Sequence, residues 1–260
     1  MIKNLLQLSL AILFIVAPVP SFATEERLIL LDTRPGVSVM LSYAKHADAK
    51  TTVVLLPGGT GGFRLKSGAP ASGGFLFDNR DNFFSSGFNV AVVNKPSDVQ
   101  DLDFDFRSSP EHVADLRQVV AFLKKEGGLP VWLVGTSRGT ISATAAAIAF
   151  GNNELAGIVL TSSITAWWKN GDVPSQDLEA IRIPVLVVHH ALDSCSICVP
   201  NQASRIVQGL TNAPVKKLIM VTGGGPPSGD ECTSSHWHGF VGREQEVVRT
   251  IADWIKKPVN

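Results

Sequence analysis

The sequence predicts an α/β protein, a single domain built on a mostly parallel sheet with helices on both faces. Three observations carry this. Short apolar runs recur along the chain and end in glycines or polar residues, as buried parallel strands do. Stretches with helical spacing separate several of those runs. The composition, 45% hydrophobic and 18% charged over 260 residues, is that of a globular chain long enough to bury a sizeable core. The formal net charge is +0, so no basic face is implied and nucleic acid is not expected as a partner.

The first residues are a separate object. Lys3 supplies a positive start, LLQLSLAILFIVA an apolar stretch, and PVPSFA small residues at Ser21 and Ala23. This predicts a signal peptide over 1–23, a mature domain over 24–260, and a periplasmic or secreted location. The apolar stretch is shorter than the roughly 18 residues of a spanning helix, so no stable membrane span is expected after cleavage.

The mature chain opens with RLILLDTRPGVSVMLSYAK, whose alternation around Pro-Gly reads as an antiparallel hairpin. TTVVLLPGGTGG and FNVAVVN are the first two buried runs. A helix is predicted from Ser109-Pro110 to a Gly127 stop, with Val113, Leu116, Val119, Val120 and Leu123 on one face. VWLVG follows as a strand, then the small-residue helix GTISATAAAIAF. LAGIVLTSS, IPVLVVHHALD and KKLIMVTGG complete six parallel strands, and VGREQEVVRTIADWIKK closes the chain as an amphipathic helix. Parallel sheets carry their sites at the carboxyl ends of strands, so the residues after each run are the ones that matter.

After VWLVG comes Gly135-Thr136-Ser137-Arg138-Gly139, a G-x-S-x-G stretch between a strand and a helix. That context is what a nucleophile elbow requires: a sharp turn projects the serine, and flanking side chains would collide with neighbouring strands. After TTVVLL comes Pro57-Gly58-Gly59-Thr60-Gly61-Gly62. A tetrahedral oxyanion needs two preorganised N–H donors, and the candidates are Gly59 in this loop and Arg138 after the serine. After VLVVHH comes Asp193, an acid able to orient an imidazole. The loop GGGPPSGDECTSSHWHGF then carries His236 and His238, of which His238, just before the last helix, is the favoured base. His189, His190, Asp193, His236 and His238 do not match a zinc pattern, because adjacent histidines on a strand face opposite ways. No metal and no cofactor is expected. Arg107, beside DLDFDF, could meet an anionic substrate but is expected in a solvated loop, and His112 is expected at the surface. The Arg138 side chain could meet a substrate carboxylate or pack its stem, and Trp167 and Trp168 could line a pocket or cover core.

The chain order Ser137, Asp193, His238, with the histidine followed by Gly-Phe, resembles the α/β-hydrolase fold superfamily, in particular small single-domain members similar to dienelactone hydrolases and esterases. The resemblance covers nearly all of the mature chain. It departs at Pro57-Gly58, where many members carry His-Gly. It implies an eight-stranded, mostly parallel sheet. Only ITAWWKNGDVPSQDLEA stands where caps are usually inserted, so no large cap is expected. It further implies a serine hydrolase that cleaves an ester, thioester or amide of a small-molecule acyl substrate through an acyl-enzyme. The alternatives are an acyltransferase using the same residues and a non-catalytic binding protein on the same fold. In this picture a Cys195–Cys232 bond would tie the acid loop to the histidine loop, leaving Cys198 unpaired. The competing pairing is Cys195-Ser-Ile-Cys198 as a redox pair.

Overall fold

The computed structural model describes residues 26–151 and 154–260; the expected signal peptide over 1–23 lies outside the described residues. The chain opens with β1 (Arg27–Arg34) and β2 (Val37–Ala44), the expected hairpin, followed by β3 (Thr52–Leu56). A small hairpin, β4 (Arg64–Lys66) and β5 (Ala69–Ser72), then leads into two short helices, α1 (Gly74–Asp78) and α2 (Arg80–Ser85). After β6 (Asn89–Pro96) come α3 (Phe104–Arg107), α4 (Pro110–Gly127), β7 (Val131–Thr136) and α5 (Gly139–Phe150). The chain ends with β8 (Gly157–Thr161), β9 (Val185–His190), α6 (Ala203–Gly209), β10 (Lys216–Val221) and α7 (Glu244–Lys256).

Eight strands form one sheet in the order β1-β2-β6-β3-β7-β8-β9-β10. Only β2 runs against the others. The six apolar runs read from the sequence are its six consecutive parallel strands. Because side chains alternate along a strand, each run feeds two cores. Val54, Leu56 and Leu133 join Leu116, Val119 and Leu123 of α4 and the alanines of α5 on one face. Val53, Leu55, Trp132 and Val134 meet Phe75 and Phe77 of α1 and Val248, Ile251 and Trp254 of α7 on the other. This double burial is why the strands are apolar throughout rather than alternating.

Helix α4 begins where its cap predicts. The Ser109 side chain accepts the His112 N–H, Pro110 occupies the first turn, and the left-handed cap at the other end is Gly128, one residue past the expected stop. Helix α5 has no polar face, since Gly139 through Ala147 are all buried; its small side chains let it lie against the sheet. Between β8 and β9 the described chain has only two single 3-10 turns, Val173–Ser175 and Leu178–Ala180, and no large cap.

His112 departs from the surface position expected of it. It is buried between α4 and α5, with its Nε2 2.9 Å from Ser142 Oγ. Pro110 and Glu111 of the same turn are exposed, but the His112 side chain points to α5, a relation set by tertiary packing. Burial, then the nearby charges of Arg107 and Arg34, push its pKa down to about 3. The unfolded chain therefore binds a proton that the folded chain refuses once pH falls below about 6.5, the ordinary histidine value. Stability from this group is complete above that pH and is lost progressively down to about 3, by up to about 1.4 kcal/mol per pH unit. Denaturant unfolding at pH 6.5 and pH 5 should show His112→Asn losing about 2 kcal/mol less than the wild type over that interval. Equal losses in the two proteins would contradict the neutral buried assignment.

Candidate active site

Ser137 sits at the turn from β7 into α5 with φ of 52°, a left-handed conformation that a non-glycine residue holds only under constraint. Both of its backbone groups are engaged: its N–H donates to Thr161 O at 3.0 Å, and its carbonyl accepts from Thr140 N at 2.9 Å and Thr140 Oγ1 at 2.6 Å. The side chain projects from the turn. The flanking glycines are steric requirements. A Cβ on Gly135 would come within 2.4 Å of Gly139 O, and one on Gly139 within 2.0 Å of Leu56 O.

The glycine loop after β3 packs directly on the serine. A Cβ on Gly58 would lie 2.8 Å from Ser137 Cβ. Gly61 N–H donates to Gly58 O at 3.0 Å, and in a trans peptide this aims the Gly59 N–H the opposite way. Neither the Gly59 nor the Arg138 N–H has a protein acceptor among the described residues. The Arg138 guanidinium is otherwise occupied: it lies 3.5 Å from Asp101 Oδ1 and stacks over the Phe104 ring at 4.6 Å. Of the two roles left open by the sequence, the stem and head pack locally.

Asp193 follows β9 and is 5% exposed. Its Oδ1 accepts the Cys195 N–H at 3.0 Å, and its Oδ2 lies 3.0 Å from His238 Nδ1 and 3.3 Å from His189 Nε2. Burial pushes its pKa up, but the hydrogen bonds from His189 and His238 outweigh this and hold it below the usual carboxylate range. The alternation on β9 thus divides its two histidines. His189 reaches Asp193 and the Cys198 carbonyl, whereas His190 bonds Gly223 O at 2.8 Å and stacks on Trp237.

His238 lies in the 3-10 turn Trp237–Gly239, buried, with its carbonyl accepting from Ser162 Oγ at 2.7 Å. The adjacent Phe240 is fully buried and anchors the turn against Phe75. His236 is directed elsewhere: its Nδ1 is 3.5 Å from Ser194 Oγ and its ring meets Trp237 edge-on. Of the two histidines in this loop, the structure brings His238 to Asp193. Ser137, His238, Gly58 and Gly59 share a cavity of about 690 Å³ with Phe63 and Asn94. Trp167 and Trp168 are 73% and 54% exposed and belong to neither this cavity nor the core.

Arg107 is the group that sequence reasoning missed. Expected in a solvated loop, it is 1% exposed. Its Nε donates to Leu102 O at 2.9 Å and its Nη1 to Ser142 Oγ at 3.2 Å. Its Nη2 donates to Pro57 O at 3.1 Å and Gly59 O at 3.2 Å. One guanidinium therefore fixes the glycine loop to α3 and α5. Its five donors suit several carbonyls at once, and that need is invisible in a local motif. The cysteines also declare themselves: Cys195 and Cys232 are bonded, and Cys198 is free and buried.

No protein-family model matches the chain, and no curated protein matches it. Solved structures do. A dienelactone hydrolase from Anabaena variabilis superposes with a TM-score of 0.63 at 14% identity, over 91% of this chain and 99% of that one. An esterase from Pyrococcus furiosus gives 0.67 at 13% identity, over 90% and 91%. An α/β serine hydrolase without lid from Xanthomonas campestris gives 0.57 at 18% identity, over 90% and 98%. With the strand order, the strained serine turn and the capless β8–β9 connection, these likenesses show that the chain has the α/β-hydrolase fold.

Proposed function

We propose that the chain is an exported serine hydrolase that cleaves an ester, thioester or amide through an acyl-enzyme, with Ser137 as nucleophile, His238 as base and Asp193 as the orienting acid. The observation that carries this reading is the buried 3.0 Å contact between His238 Nδ1 and Asp193, made beside a cavity that Ser137 enters from a strained turn. Asp193 stays ionised and holds the proton on Nδ1, which leaves Nε2 as the basic atom. Nε2 takes the Ser137 proton as the oxygen attacks the acyl carbon. The Gly59 and Arg138 N–H groups stabilise the oxyanion, with the N-terminus of α5 adding positive potential. His238 returns the proton to the leaving group, and a water activated by the same nitrogen releases the acid. A small-molecule acyl substrate suits a cavity of about 690 Å³ with no large cap. The export reading is supported by the apolar segment ahead of PVPSFA and by the disulfide, which persists in oxidising compartments.

A fluorophosphonate probe should label the wild type and leave Ser137→Ala unlabelled, with ester hydrolysis reduced by at least about a thousandfold. Absence of Ser137-dependent labelling would instead support a binding protein that retains the fold. The two histidines separate cleanly in p-nitrophenyl acetate turnover. His238→Ala should abolish it, while His236→Ala should keep most of it; the opposite pattern would reassign the base.

A further inference from the structure

The three cysteines and His238 form a second cluster of reactive groups, which the hydrolytic reading does not use as such. Cys195 and Cys232 are bonded, and Cys198 is free and buried. The Cys195 and Cys198 sulfurs and a ring nitrogen of His238 all lie within 4.8 Å of one another. The Cys198 N–H donates to the Cys195 carbonyl at 2.9 Å, which closes a four-residue turn. Such a turn brings its end Cα atoms within about 7 Å, the range a disulfide can span. These atoms do not make a metal site while the bridge is intact, because the Cys195 sulfur is committed to Cys232 and offers no thiolate.

We propose that this cluster is a thiol–disulfide exchange site in which Cys198 displaces Cys232 from Cys195. The Cys198 thiol gives its proton to His238, and the resulting thiolate attacks Cys195 Sγ. The Cys198–Cys195 bond forms, the Cys195–Cys232 bond breaks, and the electron pair of the broken bond leaves on Cys232. The Cys232 sulfur then takes a proton from His238 or water. Cys198 is oxidised as Cys232 is reduced and Cys195 stays bonded throughout, so the electrons balance within the protein and no external oxidant or reductant takes part.

The surroundings of the three sulfurs explain how the step is controlled. Burial, then the Asp193 charge, push the Cys198 thiol well up, with the Ser137 hydroxyl opposing them; the resting group is a thiol that needs a neighbouring base. Cys232 is exposed and lines the cavity wall, so the leaving thiolate enters water. After exchange the new bridge is confined to one turn. The tie between the Asp193 segment and the histidine loop is open, and Cys232 presents a free thiol at the cavity to small disulfides and alkylating electrophiles. This holds whether or not Ser137 acts as a nucleophile.

The test uses the intact folded protein, isolated without reductant, exposed to iodoacetamide at a pH of about 8.5, and mapped as unreduced peptides. Alkylated Cys232 should accumulate together with a Cys195–Cys198 disulfide. Cys198→Ala and Cys198→Ser should each lower Cys232 labelling by at least about tenfold, and His238→Asn should slow it in the wild-type cysteine background. A Cys195–Cys232 bond that stays intact without label would overturn the proposal. So would label on Cys198, Cys232 labelling that persists in both Cys198 variants, or a rate unaffected by His238→Asn.

Discussion

The tight approach of the Ser137 turn to the β3 carboxyl end is the constraint on which the site depends. Gly139 lies so close to Leu56 O that a methyl group would overlap it, and Gly58 packs on Ser137 itself. Three consecutive features follow from this closeness. The serine adopts a left-handed backbone, its side chain projects, and the glycine loop is held where Gly58 and Gly59 line the same cavity as Ser137. Strain at Ser137 of order 1–3 kcal/mol is offset by the bonds on either side, to Thr161 across the sheet and to Thr140 at the helix start.

Around that turn, buried polar groups do the positioning. Arg107 places a guanidinium among backbone carbonyls, where it makes four hydrogen bonds and ties the glycine loop down. Ser142 is shared between Arg107 and His112, so the packing of α4 on α5 is coupled to the same loop. On the other side, Asp193 collects His238, His189 and the Cys195 N–H on its two oxygens. Burial pushes its pKa up, but the hydrogen bonds from His189 and His238 outweigh this and keep the carboxylate ionised. Its orientation of His238 is therefore shared among three elements: β9, the cysteine turn and the histidine loop.

The disulfide joins two of those elements. Cys195 lies two residues past Asp193, and Cys232 lies in the loop that delivers His238, so the bond spans a sequence separation of 37 to link the Asp193 and His238 segments. Placing the third sulfur beside it gives the same pocket both a proposed acyl-transfer centre and a candidate thiol chemistry, with His238 common to both.

Much of this was legible in the chain because it is local. The apolar runs announced six parallel strands, Ser109-Pro110 announced a helix start, and G-x-S-x-G between strand and helix marked Ser137, since a turn's sterics involve only a few neighbours. Segments without periodicity, such as β4, β5, α1 and α2, gave no such signal. The sequence by itself determined the fold class and the serine turn. Only the tertiary structure decided that His238 and not His236 meets Asp193, that Arg107 and His112 are buried, that His189 shares the carboxylate, and that Arg138 packs on Phe104. Those outcomes rest on contacts between residues far apart in the chain, where the direction of a side chain depends on how helices and loops dock against the sheet rather than on spacing within any one of them.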